Sequence, residues 1–167
     1  MFSAILSYLK KIKRFFQSRE NVELQSWLKA RLSTDDVFKI LQLDEAGDKL
    51  LSNPNLKRWA AFVEKKIGNP PELMMVMKLR THYDDATLAR MFEFGTKTKG
   101  TRKMAKKLQD AQFVRWFLDG KWPNEIIDDV FKVPLGASWT KTDDVQPIWA
   151  KYSKYFEKYK PNWRDLQ

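Results

Sequence analysis

A single histidine, His82, and no cysteine are all that the 167-residue chain offers for imidazole or thiolate chemistry. Zinc sites of the common kinds take most of their ligands from those two residue types, so they are excluded. A serine nucleophile would need His82 as its base, and no nucleophile-elbow pattern surrounds any serine. Asp35 and Asp36 are paired carboxylates of the sort that divides acid and base roles. They directly follow Ser33 and Thr34, however, which read as a helix cap, and acids in a first turn simply suit the helix dipole. Neither GxGxxG nor GxxxxGK[ST] occurs, so no phosphate-cradling loop is signalled. The expectation is a protein with no catalytic residues, no metal, no cofactor and no small-molecule substrate.

Composition narrows the partners instead. With 31 Lys plus Arg against 21 Asp plus Glu, the formal charge is +10, which favours nucleic acid, anionic lipid or an acidic protein surface. A cysteine-free chain must be held by packing of its 11 Phe, 7 Trp and 5 Tyr, and it tolerates oxidising and reducing compartments alike. No apolar run approaches the ~20 residues that a bilayer-spanning helix needs.

The elements that position these side chains read as helices throughout. Between Asn53 and Gly95, a stripe of Leu56, Trp59, Ala60, Val63 and Ile67 predicts a helix capped at Asn53, opened by Pro54 and stopped at Gly68. After three methionines comes Tyr83, then Leu88, Met91 and Phe92 on one face, with Gly95 as the expected C-terminal cap. Trp59 and Tyr83 are expected to meet in one small core. Residues 1–19 predict an amphipathic helix, and Phe2, Leu6 and Leu9 with Lys10, Lys11, Lys13 and Arg14 would suit an anionic membrane; the same apolar face would also suit packing on the bundle. A helix from Glu23 carries Leu24, Trp27 and Leu28, and a short one carries Val37, Phe38 and Leu41.

The chain then repeats itself. A shift of 89 residues places Trp27 on Trp116, Val37 on Ile126, Phe38 on Ile127 and Leu41 on Val130, and a shift of 90 places Trp59 on Trp149 and Phe62 on Tyr152. The one-residue slip is expected in a loop. Thr101 opens a long helix running through Met104, Leu108, Phe113 and Trp116; its basic start, from Lys97 to Lys107, lacks interleaved aromatics and reads as a solvated face. Pro134 to Gln146 reads as a loop before a last helix with Trp149, Tyr152, Phe156 and Tyr159 on one face.

The stretches LQLDEAGDKLLSNPNLKRWAAFV, THYDDATLARMFEFG and KGTRKMAKKLQDAQFVRWFLDGKWPNEI together resemble the WY-domain fold of the RXLR-type effectors of oomycete plant pathogens such as Phytophthora, over roughly residues 24–131. The family's Trp falls on Trp59 and its Tyr on Tyr83. No RXLR or acidic-arginine motif is visible, so the expectation is a mature effector region whose targeting segments have been removed. The resemblance implies an all-α fold: a WY-type helical bundle at 21–112, a truncated second LWY-like unit at 113–160 sharing the linking helix, an N-terminal basic helix at 1–20 and a tail at 161–167. Trp59, Tyr83, Trp27, Trp116 and Trp149 would form the structural core. It also implies secretion by the pathogen and entry into the plant cell, chiefly the cytoplasm, with membrane association or the nucleus left open. Immunity would be suppressed there by binding a host protein. Exocyst or other trafficking components rank first, given the basic amphipathic start, and a basic nucleic-acid binder is the alternative.

The partner surface is expected at the end of the chain. After Trp149 only 18 residues remain, which leaves Tyr152, Tyr155, Phe156 and Tyr159 short of cover beside Lys151, Lys154 and Lys158. Trp163 to Leu166 further resembles the WxxL motif that autophagy adaptors take into two pockets.

Overall fold

The structure, a computed structural model, describes residue 10 and residues 19–134 and 143–166. All of their regular structure is helical, with no β-strand among the described residues. The chain divides into two compact units, one of Met1–Gly47 with Asn53–Pro71 and one of Asp48–Ser52 with Glu72–Gln167. Contacts therefore divide the chain near Pro71, whereas the sequence repeat divides it near residue 112. Trp59 belongs to the first unit and Tyr83 to the second.

The first unit is built from α1 (19–29), α2 (Thr34–Ile40) and α3 (Asn55–Ile67). A capping box starts α2: the Ser33 hydroxyl accepts from Asp36 N at 3.0 Å, and Asp36 Oδ2 accepts from Ser33 N at 2.7 Å. These bonds from Ser33 hold the Asp36 carboxyl below its ordinary range. Asp36 is thus engaged at the helix start, and Asp35 pairs with Lys39 one turn on at 3.2 Å. On α3 the buried positions are Leu56, Trp59, Phe62 and Val63, while Ile67 is 45% exposed and leaves the expected stripe. Asn53 Oδ1 accepts from Asn55 N at 2.9 Å, so the helix begins one residue beyond Pro54. Gly68 ends it at φ 100°, where a side chain would be strained. Trp59 is fully buried, meets Phe38 at 4.8 Å between ring centroids, and donates from Nε1 to Thr34 O at 2.8 Å.

The second unit takes in all but the first residue of the 3-10 turn at Gly47–Ser52 and of α4 (Pro71–Leu79), then α5 (Asp85–Lys97), α6 (Arg102–Leu118), a π-helical turn at Ile126–Val130, α7 (Gln146–Glu157) and a 3-10 turn at Trp163–Leu166. Asp84 caps α5 by accepting from Thr87 N at 2.8 Å, which leaves Tyr83 half-buried in the preceding turn. Gly95 is not a cap. It lies inside α5, where an added Cβ would sit 2.6 Å from Leu51 Cδ1 and 2.7 Å from Ala105 Cβ, so it permits the close approach of α5 to α6. Helix α6 and α7 enclose a core of Phe113, Trp116, Ile148, Tyr152 and Phe156, closed by Trp163.

The internal repeat is visible in the geometry of both units. Trp27 meets Phe62 edge-on at 6.0 Å and 89°, and Trp116 meets Tyr152 edge-on at 5.3 Å and 82°. Leu32 N donates to Trp27 O at 3.1 Å, and Lys121 N donates to Trp116 O at 3.0 Å. Ser33 N donates to the Asp36 carboxylate at 2.7 Å, as Trp122 N does to that of Glu125 at 2.7 Å. Even the positive φ angles recur, at Arg31 (56°) and Gly120 (74°), then at Gln42 (54°) and Lys132 (51°). The one-residue slip falls inside a helix, not in a loop. Leu41 N reaches back four residues to Val37 O, whereas Phe131 N reaches back five to Ile126 O, so the extra residue is taken up as a π turn. The counterpart of buried Leu41 is accordingly Phe131, itself buried, and not Val130.

Tyr152 ties this second copy to its own connecting turn through a 2.6 Å bond from its hydroxyl to Lys121 O. Burial raises its hydroxyl pKa well above the usual tyrosine value, so it remains a donor. Tyr152→Phe keeps the ring and strands the carbonyl, and it should cost about 1–2 kcal/mol in urea unfolding. An unchanged midpoint would show that water replaces the bond.

Candidate functional site

The aromatic residues expected to be exposed are mostly core. Tyr152, Phe156 and Trp163 are at most 2% exposed, which corrects their assignment to a partner surface. The missing cover comes from upstream: Phe117 on α6 lies 5.4 Å from Phe156, and Trp163 folds back to 5.9 Å from the same ring. With its indole buried, Trp163 is not presented for insertion into another protein's pocket, and the side chain of Leu166 lies outside the described residues. Tyr155 is half-buried and Tyr159 is 54% exposed; their rings lie 5.2 Å apart. Of the expected core tryptophans, Trp27, Trp59 and Trp116 are buried and Trp149 is half-buried. Among the expected membrane-facing residues, Phe2, Leu6, Leu9, Lys11, Lys13 and Arg14 lie outside the described residues, and Lys10 is exposed.

What the fold does assemble is a groove between α6 and α7, an open concavity of about 870 Å³. One wall carries Lys106 and Asp110 from α6. The other carries Lys151 and Lys154 from α7 and Lys158, which caps its C-terminus in helical conformation, at steps of three and four residues that place them in one row. Tyr155 lines the groove with Phe113 beside it, 6.1 Å between ring centroids. Burial and the neighbouring Tyr159 push the Tyr155 hydroxyl up to about 12. It is uncharged at any physiological pH.

Bonded to two of the lining residues, Lys151 and Gln109, is Glu93, a buried carboxylate on α5 that the sequence reading did not single out. Its Oε2 accepts from Lys151 Nζ at 2.6 Å and from Gln109 Nε2 at 2.9 Å, and Lys97 Nζ lies 3.1 Å from its Oε1. Burial alone would raise its pKa, but the bonds from Lys151, Gln109 and Lys97 outweigh burial and hold it below the usual glutamate range. One carboxylate thus links α5, α6 and α7. A group with a depressed folded pKa contributes stability above its unfolded value, and that contribution is lost as pH falls through the folded one. Glu93→Gln should therefore flatten the loss of stability below about pH 4.5 and cost about 1–2 kcal/mol at neutral pH, given how exposed its two lysine partners are. Thermal melts from acid to neutral pH test this; parallel curves for the two proteins would contradict it.

No group of three or more His, Cys, Asp or Glu side chains is placed to hold a metal ion among the described residues, and no helix there is long and apolar enough to cross a membrane. His82 is half-buried beside Tyr83 in the turn before α5.

The described residues thus form helical units centred on tryptophans, the second of which carries an open groove between α6 and α7. Comparisons with known proteins give the family. The model of the WY domain of effector PexRD54 matches residues 22–63. RxLR effector protein PexRD15 of Phytophthora infestans is 30% identical over 164 residues, covering 89% of this chain and 67% of that protein. RxLR effector protein PSR2 of Phytophthora sojae is 30% identical over 142 residues, covering 82% of this chain and 20% of the relative. The crystal structure of PcRxLR12 superposes with a TM-score of 0.67 at 26% identity, over 86% of this chain and 33% of the other. The chain thus spans about a fifth of PSR2 and a third of PcRxLR12. It belongs to the RxLR effectors of Phytophthora-type oomycetes and carries their all-α WY-domain fold.

Proposed function

We propose that the protein is secreted by the pathogen, enters plant cells and suppresses immunity there by binding a host protein. Trafficking or membrane-associated targets, exocyst components among them, rank first, and a plant immune receptor would be a second host protein able to detect it. Membership of the RxLR effectors is the observation that carries this reading. The site is in keeping with it, since an open groove with an aromatic lining suits recognition of a protein segment. The trafficking preference rests on the basic amphipathic sequence of residues 1–19, which would also attract anionic lipid.

A nucleic-acid binder is the alternative that the charge of +10 keeps in view. Several of the cations are already committed to carboxylates, among them Arg80 to Asp85, Arg115 to Asp119 and Lys151 to Glu93, and this disfavours a phosphate-binding face. Affinity capture from plant extract, identified by mass spectrometry and paired with an elicitor-triggered oxidative burst in leaf tissue, tests the proposal. Reproducible capture of one host protein with a reduced burst is expected. An unaltered burst with no captured protein, together with tight, salt-steep binding of oligonucleotides, would replace it with the alternative.

A further inference from the structure

We infer that the groove between α6 and α7 is a docking site for an acidic segment of a partner protein, one that carries carboxylates around an aliphatic or aromatic anchor. This rests on the protein-binding reading above and specifies its surface. The lysines at 151, 154 and 158 form a row about 10 Å long on α7 and its C-cap, and Lys106 faces them from α6. Lys106 and Lys154 make no ion pair among the described residues, and Lys158 makes none either, its ammonium lying 5.8 Å over the Tyr159 ring. Cations left unpaired around an aromatic lining are complementary to carboxylates flanking an apolar side chain.

The same details weigh against the other anionic partners. A bilayer surface is broad and flat, whereas these lysines line a concavity. A nucleic-acid backbone carries a phosphate at every nucleotide and would bring some of them against Asp110 and Glu157, which also line the groove. A peptide can place its carboxylates opposite the lysines and leave neutral residues opposite the two acids. Lysine ammoniums are point charges suited to single carboxylates, and the arginines that favour paired contacts to phosphate are absent from the lining. The ring of Tyr155, half-buried and with its hydroxyl uncharged, offers the anchor an apolar contact without a competing anion.

The test is selection from a displayed library of random twelve-residue peptides on the full chain, followed by titration of the recovered peptides. Acidic sequences with a central apolar residue are expected, binding more weakly as salt rises and at least tenfold more weakly to Lys106→Glu/Lys154→Glu/Lys158→Glu. The corresponding triple Gln variant, which removes charge without reversing it, should show an intermediate loss while melting like the parent. Neutral or basic selected peptides, no selected peptides, or affinities unchanged in both variants would overturn the inference. So would a 16-nucleotide DNA strand or phosphatidylserine vesicles binding through the same lysines more tightly than any selected peptide. Capture from plant extract separates the two levels: a host protein held equally by parent and triple variant removes the groove but keeps protein binding, whereas peptide binding with no host protein captured removes the proposed function and keeps the groove.

Discussion

Trp59→Ala should remove about 3–5 kcal/mol of stability, enough to consume a large part of what holds a small domain together. The indole is fully buried in the first unit, so truncation deletes one of its two buried indoles and leaves a cavity bounded by α2 and α3. Phe38 loses its ring partner at 4.8 Å, worth about 1 kcal/mol beyond area alone. Thr34 O, at the start of α2, loses the Nε1 donor as well. Trp59→Phe narrows the comparison, because it refills most of the volume, keeps an aromatic ring and removes the donor together with a smaller part of the buried ring; a cost of about 1–3 kcal/mol is expected. Urea unfolding followed by far-UV circular dichroism measures both. A midpoint unmoved by Trp59→Ala would mean that this indole does not organise the first unit. Loss of partner binding by the same variant would carry no information about the docking site, since unfolding alone produces it.

Helical periodicity makes the inward faces legible in the sequence. Trp27, Trp59 and Trp116 were readable as core because each recurs at three- and four-residue steps with other apolar residues, and all three are buried. The repeat was readable too, though not its seam. A single extra residue in an alignment looks like loop slack, and only the five-residue reach of Phe131 N to Ile126 O reveals a π turn. The aromatic face of α7 was misjudged because counting residues after Trp149 ignores cover arriving from elsewhere. Phe113 and Phe117 lie on a helix that precedes α7 by some thirty residues, and Trp163 returns from beyond a turn. The groove was illegible for the same reason. Lys106 reads as one residue of a solvated basic face, and the lysines of α7 read as the polar side of an amphipathic helix; only packing of α6 on α7 makes them opposite walls.

Gly95 sits where α5 meets α6, and the second large effect follows from it. A glycine near the end of an amphipathic stripe ordinarily signals a C-terminal cap, yet α5 continues to Lys97 and Gly95 is buried. No positive φ is required of it, so its lack of a side chain is used for proximity. Gly95 O also accepts the Thr101 hydroxyl at 2.8 Å, which fixes the turn that reverses the chain from α5 into α6. Gly95→Val should cost about 3 kcal/mol by forcing α5 away from α6, even though valine is the better helix former. The neighbouring Phe94, 72% exposed, is the control: Phe94→Ala should stay within about 0.5 kcal/mol. A double-mutant cycle then identifies the cause. The atoms an added Cβ would strike are Leu51 Cδ1, the end of a side chain that can turn aside, and Ala105 Cβ, which is anchored to the backbone of α6. Gly95→Ala should destabilise by about 1–2 kcal/mol through overpacking, and Ala105→Gly by about 1–2 kcal/mol through helix propensity together with the loss of a buried methyl. Combined, they restore a single methyl at the crossing, so their sum should overshoot the measured cost by about 1 kcal/mol or more. Strict additivity would show that the two positions do not share a contact, and that Gly95 was retained for a reason other than the approach of these helices.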